Sequence, residues 1–260
     1  MWSNSNLKSR GMSAFQSNYW MAVAVALIVS IVVGAFSQGG GNSVSLNISG
    51  LAESEGVLWE LLKNPLGFLL TSVSVILAVI IAFAGILFSI FIGNVFAVGG
   101  NRFFMENREY RPGLAKVLYG FRCGHYMNIV EIMFLKSLYT FLWTLLLIVP
   151  GIIKSYEYRM VPYILSENPA IDSKRAFELS KRMMDGQKIN AFLLDLSFIG
   201  WIILGAFTCN ILPIFWTTPY IEATRAELYA VMRVHGFYQG FTNEMELPGF
   251  FVQENPYQGY

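Results

Sequence analysis

Nine ionisable residues fall inside the apolar stretches of this sequence: Glu131, Lys136, Lys154, Glu157, Arg159, Asp195, Glu222, Arg225 and Glu227. A charged side chain at the centre of a membrane helix costs roughly 2.5–3.5 kcal/mol on insertion scales, so such groups turn inward and pair. Local spacing offers two partnerships, Lys154 with Glu157 and Glu222 with Arg225, each pair three residues apart on one helix face. Glu131 and Lys136 are five apart, which sends each to a partner on another helix. Tyr156 and Tyr163 stand three and four residues from Arg159, a spacing suited to cation–π contact. Two readings follow. In one, the charges pair to fix helix register. In the other, they line a polar cavity for an ion, a lipid headgroup or a peptide, centred on Glu157, Arg159 and Asp195, with Lys154, Glu131, Lys136, Glu222 and Arg225 as further candidates.

Elements that hold charges in this way must be membrane helices. The 260 residues are 55% hydrophobic and only 13% charged, against roughly 25% charged in soluble domains. We read an all-α, polytopic transmembrane bundle of about six spans: 19–36, 68–98, 129–149, 151–167, 189–208 and 211–231. A short amphipathic segment, Asn6–Asn18 with Leu7, Met12 and Phe15 apolar, leads into the first. A Gly/Ser/Asn loop, Ser37–Gly50, and a short helix carrying Glu53, Glu55 and Glu60 separate the first two spans. The range 1–235 forms a single membrane-embedded domain, and 236–260, rich in Gly, Pro, Tyr and Phe, reads as a weakly ordered cytoplasmic tail.

Charge sets the sidedness. If Pro150-Gly151 turns and the chain returns through the membrane, the basic residues of 99–128 and 169–188 share one side with Lys8, Arg10 and Arg233. Of the remaining Lys and Arg, Lys63 alone then lies outside the spans on the other side. The positive-inside rule makes the crowded side cytoplasmic, with both termini there, in a cell membrane. The return span 151–167 is short, and Pro162 should kink it.

Two surfaces stand out. Gly85, Ser89, Gly93 and Ala97 recur every four residues, a small-residue row that lets another helix approach closely, in a homodimer or within the chain. Residues 172–185 form an amphipathic helix, with Lys174, Arg175, Lys181 and Arg182 on its basic face. Asp172 or Ser173 caps its start and Gly186 its end. That helix lies on anionic lipid headgroups, packs on the protein's own base, or does both.

The run LWTLLLIVPGIIKSYEYRMVPYILSENPAIDSKRAFELSKRMMDGQK (Leu142–Lys188), followed by FLLDLSFIGW (Phe192–Trp201) and PYIEATRAELY (Pro219–Tyr229), resembles bacterial membrane proteins classed as domain of unknown function 975 (DUF975). LKSRGMSAFQSNYW (Leu7–Trp20) is similar to the family's usual opening, while Gln187 stands where histidine is expected. The resemblance implies a polytopic helical protein of a bacterial membrane; it does not imply a chemical activity, because none is assigned to the family.

No HExxH, GxSxG, Walker A or CxxC pattern is present, and the two cysteines and two histidines make no ligand set. We therefore expect neither an enzyme nor a cofactor nor a metal, and a net charge of +1 gives no footprint for nucleic acid. A non-enzymatic accessory protein, acting through lipid or protein partners, is the first expectation. A transporter or channel-like protein with a polar intramembrane site is the second.

Overall fold

Ser3 opens helix α1 (Asn4–Ser17) by accepting a hydrogen bond from the Asn6 amide on its hydroxyl. The chain then bends by 101° into α2 (Tyr19–Ser37). The corner is fixed by Asn18, whose side-chain amide donates to Asn107 Oδ1 and to the Pro112 carbonyl. The structure, a computed structural model, describes residues 2–37, 65–208 and 211–250. Glu53, Glu55, Glu60, Lys63, Cys209, most of the Ser37–Gly50 loop and the end of the tail lie outside the described residues.

One long rod follows, made of α3 (Pro65–Phe88), a π turn at Ser89–Gly93, and α4 (Asn94–Glu106). Sequence reading ends this helix at residue 98, before the Gly99-Gly100 pair, but the helix runs on. Both glycines are close-approach sites. A Cβ on Gly99 would overlap the Val117 carbonyl, and one on Gly100 would lie 2.8 Å from a Val29 methyl on α2. After a 3₁₀ turn (Leu114–Leu118) and the one-turn helix α5 (Tyr119–Arg122), the chain enters a hairpin of α6 (Tyr126–Leu146) and α7 (Ile148–Glu157).

The hairpin turn falls at Leu147, which is extended, and not at Pro150-Gly151. Pro150 sits in the first turn of α7, where a missing N–H costs nothing. Gly151 instead lets the two arms touch, because a Cβ there would lie 2.6 Å from Thr144 Cα. The range 151–167 is not one helix either. It breaks at Tyr158–Met160, and Pro162 starts a second short helix, α8 (Val161–Glu167), rather than kinking the first. Helix α9 (Ser173–Met183) has the N-cap its sequence announces, Asp172 accepting from the Arg175 amide; its C-cap is Met184, and Gly186, expected in that place, turns two residues further on with φ +66°.

A second hairpin rises through α10 (Lys188–Leu196) and α11 (Ile199–Phe207) and returns through a π turn at Pro213–Thr217 into α12 (Thr218–Tyr238). No strand occurs among the described residues. Among the described residues three helices are long and apolar enough to cross a membrane: Ser72–Glu106, Tyr126–Leu146 and Lys188–Phe207. The bent α1–α2 pair makes four if it counts as one span. Neither 151–167 nor 211–231 joins that set.

The helices divide into two halves. A packed half buries Leu7, Phe15, Phe103, Ile129, Ile164, Leu179 and Tyr229, drawn from α1, α4, α6, α8, α9 and α12. The other half presents large apolar side chains outward: Val73 to Phe91 on the rod, Phe141 to Ile153 around the first hairpin, and Ile199 to Phe215 around the second. Residues 239–250, read from sequence as tail, lie on the packed half. Gly240 turns the chain (φ +71°), Leu247 is buried, Arg233 donates to the Leu247 carbonyl, and Asn168 donates to the Glu246 carbonyl.

Candidate functional site: an ionic cavity at the foot of two hairpins

Asp195, one turn before α11, is the centre of the site. Its Oδ2 accepts from Tyr156 Oη at 2.9 Å and from Arg159 Nη1 at 2.6 Å, and its Oδ1 accepts from Arg159 Nη2 at 2.8 Å. The Arg159 pairing is bidentate, the geometry in which guanidinium and carboxylate bind most strongly. Arg225 Nη2 stands 3.5 Å from Oδ1, and Arg225 Nη1 donates to Glu222 at 2.9 Å. The break between α7 and α8 is what aims Arg159 here. A continuous helix through 151–167 would give this side chain another direction.

These residues border a cavity of about 340 Å³. Asn101 from α4, Lys136 from α6, Ser155 from α7, and Pro162 and Tyr163 from α8 complete its lining. Among the described residues the Lys136 ammonium has no hydrogen bond or ion pair, and Arg225 Nε is buried without an acceptor. The Arg159 guanidinium also lies 5.3 Å from the Tyr156 ring, as the spacing suggests, whereas Tyr163 stacks on Tyr229 instead.

Five of the eight candidate residues thus meet at one cavity: Lys136, Arg159, Asp195, Glu222 and Arg225. Lys154 and Glu157 do not join them. Glu157 is buried and paired with Lys154 and, at 3.2 Å, with Lys188, while Lys154 also lies over the Trp143 ring at 5.4 Å. Glu131 is exposed on α6, away from both groups. Glu227 is buried in the packed half between Arg108 (2.8 Å) and Arg10 (3.0 Å).

The small-residue row faces the chain itself at Gly93, where a Cβ would lie 3.9 Å from Val32 and Val33 of α2. Gly85 is buried, and Ser89 and Ala97 are half-buried. The basic face of α9 is partly used internally. Arg175 binds Glu246 (2.6 Å) and Glu178 (2.9 Å), and Arg182 binds Glu178 (2.7 Å). The Arg175 hydrogen bond is the main reason the Glu246 carboxyl sits below its ordinary pKa of 4.5.

Sequence reading passes over two buried carboxylates. Glu106 is held by Arg102 (2.6 Å) and Lys116 (2.9 Å), and Glu167 by Arg233 (2.7 Å), Tyr229 Oη (2.6 Å) and the Gly249 amide (2.6 Å). The i,i+4 spacing of Arg102 and Glu106 is a legible signal. Nothing local announces Glu167.

An all-helical chain with several membrane-length apolar helices and an ionic cavity at their foot defines the class. Residues 144–235 match the model of the family described as protein of unknown function (DUF975), the family that Leu142–Lys188 resembles. The matched stretch contains Tyr156, Arg159, Tyr163, Asp195, Glu222 and Arg225 but not Asn101 or Lys136. No curated protein and no solved structure matches the chain.

Proposed function

We propose that this is a multi-pass protein of the bacterial cell membrane, with both termini cytoplasmic, that works by binding rather than by catalysis. It is an accessory protein whose ligand or partner enters the cavity around Asp195. The observation that carries this reading is the level of the cavity. The rod, the first hairpin and the approach to α12 each contribute to it near an end of an exposed apolar stretch. Exposed apolar side chains run to Phe91 on the rod before Asn101, from Phe134 beside Lys136 to Ile153 before Arg159, and to Phe215 before Glu222, while Leu193 and Leu196 flank Asp195. That level corresponds to the membrane–water interface. Transport sites commonly lie near the midplane, between repeats with broken helices.

The experiment is reconstitution into proteoliposomes. Stable integration without ion or solute flux, together with retention of a ligand that Asp195→Asn releases, is the expected result. Substrate-dependent flux abolished by Asp195→Asn would replace this reading with transport.

A further inference from the structure

We propose that the cavity around Asp195 takes a phosphodiester of net charge −1, with no cationic headgroup to compensate it, as anionic glycerophospholipids carry at the interface; this rests on the binding reading above and names its ligand. The argument is a donor and acceptor count. The Asp195 carboxylate already accepts three hydrogen bonds, and Glu222 is engaged by Arg225. The unused groups are donors. The Lys136 ammonium on α6 and Arg225 Nε on α12 have no acceptor among the described residues. An unmatched buried donor is costly, so Arg225 Nε, with the half-buried and unpartnered Lys136 ammonium lining the same cavity from another helix, points to an acceptor from outside.

Charge narrows the acceptor. Lys136, Arg159 and Arg225 face Asp195 and Glu222, which leaves the lining one positive charge in excess. A monoanion balances it. A dianionic phosphate monoester would place surplus negative charge beside two carboxylates, and a zwitterion would leave the excess unmatched.

The walls point to a lipid as the source. The cavity volume suits a headgroup and not its acyl chains. Next to it Ile152, Ile153 and Phe192 are about half exposed, and Phe192 meets the Tyr156 ring edge-on at 6.2 Å. Chains leaving the cavity would run along those side chains.

The test uses the full-length protein in mild detergent, titrated separately with phosphatidylglycerol, phosphatidylcholine and oleate and read by native mass spectrometry. The expected result is one phosphatidylglycerol retained per chain, at least about tenfold tighter than phosphatidylcholine or oleate (about 1.4 kcal/mol). Lys136→Gln should weaken that retention about tenfold with its melting temperature unchanged, because Lys136 makes no contact that folding needs. The exposed Lys181→Gln should behave as the parent. Soluble dimethyl phosphate provides the second arm. Failure to displace the lipid at millimolar concentration supports a lipid source, and displacement supports the same chemistry from a free diester. Equal retention of phosphatidylglycerol and phosphatidylcholine, equal retention of oleate, or an unaffected Lys136→Gln overturns the proposal. Protein that integrates into liposomes without headgroup preference refutes the phosphodiester alone, whereas protein that fails to integrate refutes the membrane reading as well.

Discussion

At the scale of single residues, Asp195 has the most to lose. Asp195→Asn leaves one acceptor oxygen where the fork uses two, sets an NH2 group against a guanidinium donor, and deprives Arg159 and Arg225 of their shared counterion. Hydrogen bonds to charged groups contribute about 1.5–3 kcal/mol, so thermal unfolding in detergent should shift down by several degrees. Glu222→Gln should shift it less, because it removes one partly exposed pairing. The double change Arg159→Met with Asp195→Leu should recover part of the loss, since an apolar pair leaves no lone charge behind. A double variant no more stable than Asp195→Asn would show that Arg159 has other work in the fold. Such pairs also mark how far a sequence can be read. Lys154–Glu157 and Glu222–Arg225 lie on one turn of helix and are legible from spacing. Arg159 and Asp195 are separated by 36 positions, and only the packing of α7 against α10 brings them together.

At the scale of elements, glycine positions separate contacts from open space. Gly11 lets α1 lie against α12, where a Cβ would come within 2.8 Å of Thr224 Cα; Gly11→Val should loosen α1 and raise its amide exchange. Gly151→Val should force apart the arms of the first hairpin, at about 1–3 kcal/mol, measurable as a lower melting temperature. Gly200 has nothing near it, so Gly200→Ala should be neutral or stabilise α11 by up to roughly 1 kcal/mol. The C-terminal segment adds a pH dependence. Glu246 has a folded pKa below 4.5, so its contribution to docking is complete above that value and falls as pH drops through the lower, folded one. Exchange protection of residues 239–250 should therefore hold at neutral pH and decline below pH 4.5, and Arg175→Gln should remove the effect. Helix identities and the Asp172 cap of α9 are legible because period and cap chemistry are local. The split of 151–167 was not, because it rests on Pro162 finding a place at a helix start and on α8 being wholly buried. The Gly99-Gly100 pair looked like a helix end, since glycine marks ends and close contacts alike.

At the scale of the molecule, the question is how deep the first hairpin goes. The residues around its turn, Leu145 to Val149, are 63–72% exposed and wholly apolar, unlike a loop that meets water. From Ile148 to Ile153 the return arm has six apolar residues before Lys154, about 9 Å of helix against a hydrocarbon core of about 30 Å. The expected arrangement is a hairpin inserted from the cytoplasmic face that stops within the bilayer. With Cys123 and Cys209 replaced, Leu147→Cys should resist a membrane-impermeant thiol reagent from either side, and Ser173→Cys should react only after the cells are opened. Labelling of Leu147→Cys from outside would restore a full crossing.

The two π turns, Ser89–Gly93 in the rod and Pro213–Thr217 before α12, both stand where the outward apolar half joins the packed half. Each amounts to one residue more than an α-helix needs. The wider turn absorbs that surplus: deleting one residue within 89–93 would close it as ordinary α-helix and leave α3 and α4 nearly in phase. The joint is thus a spare residue held in the rod, and its loss should leave the stripe that meets α2 unchanged.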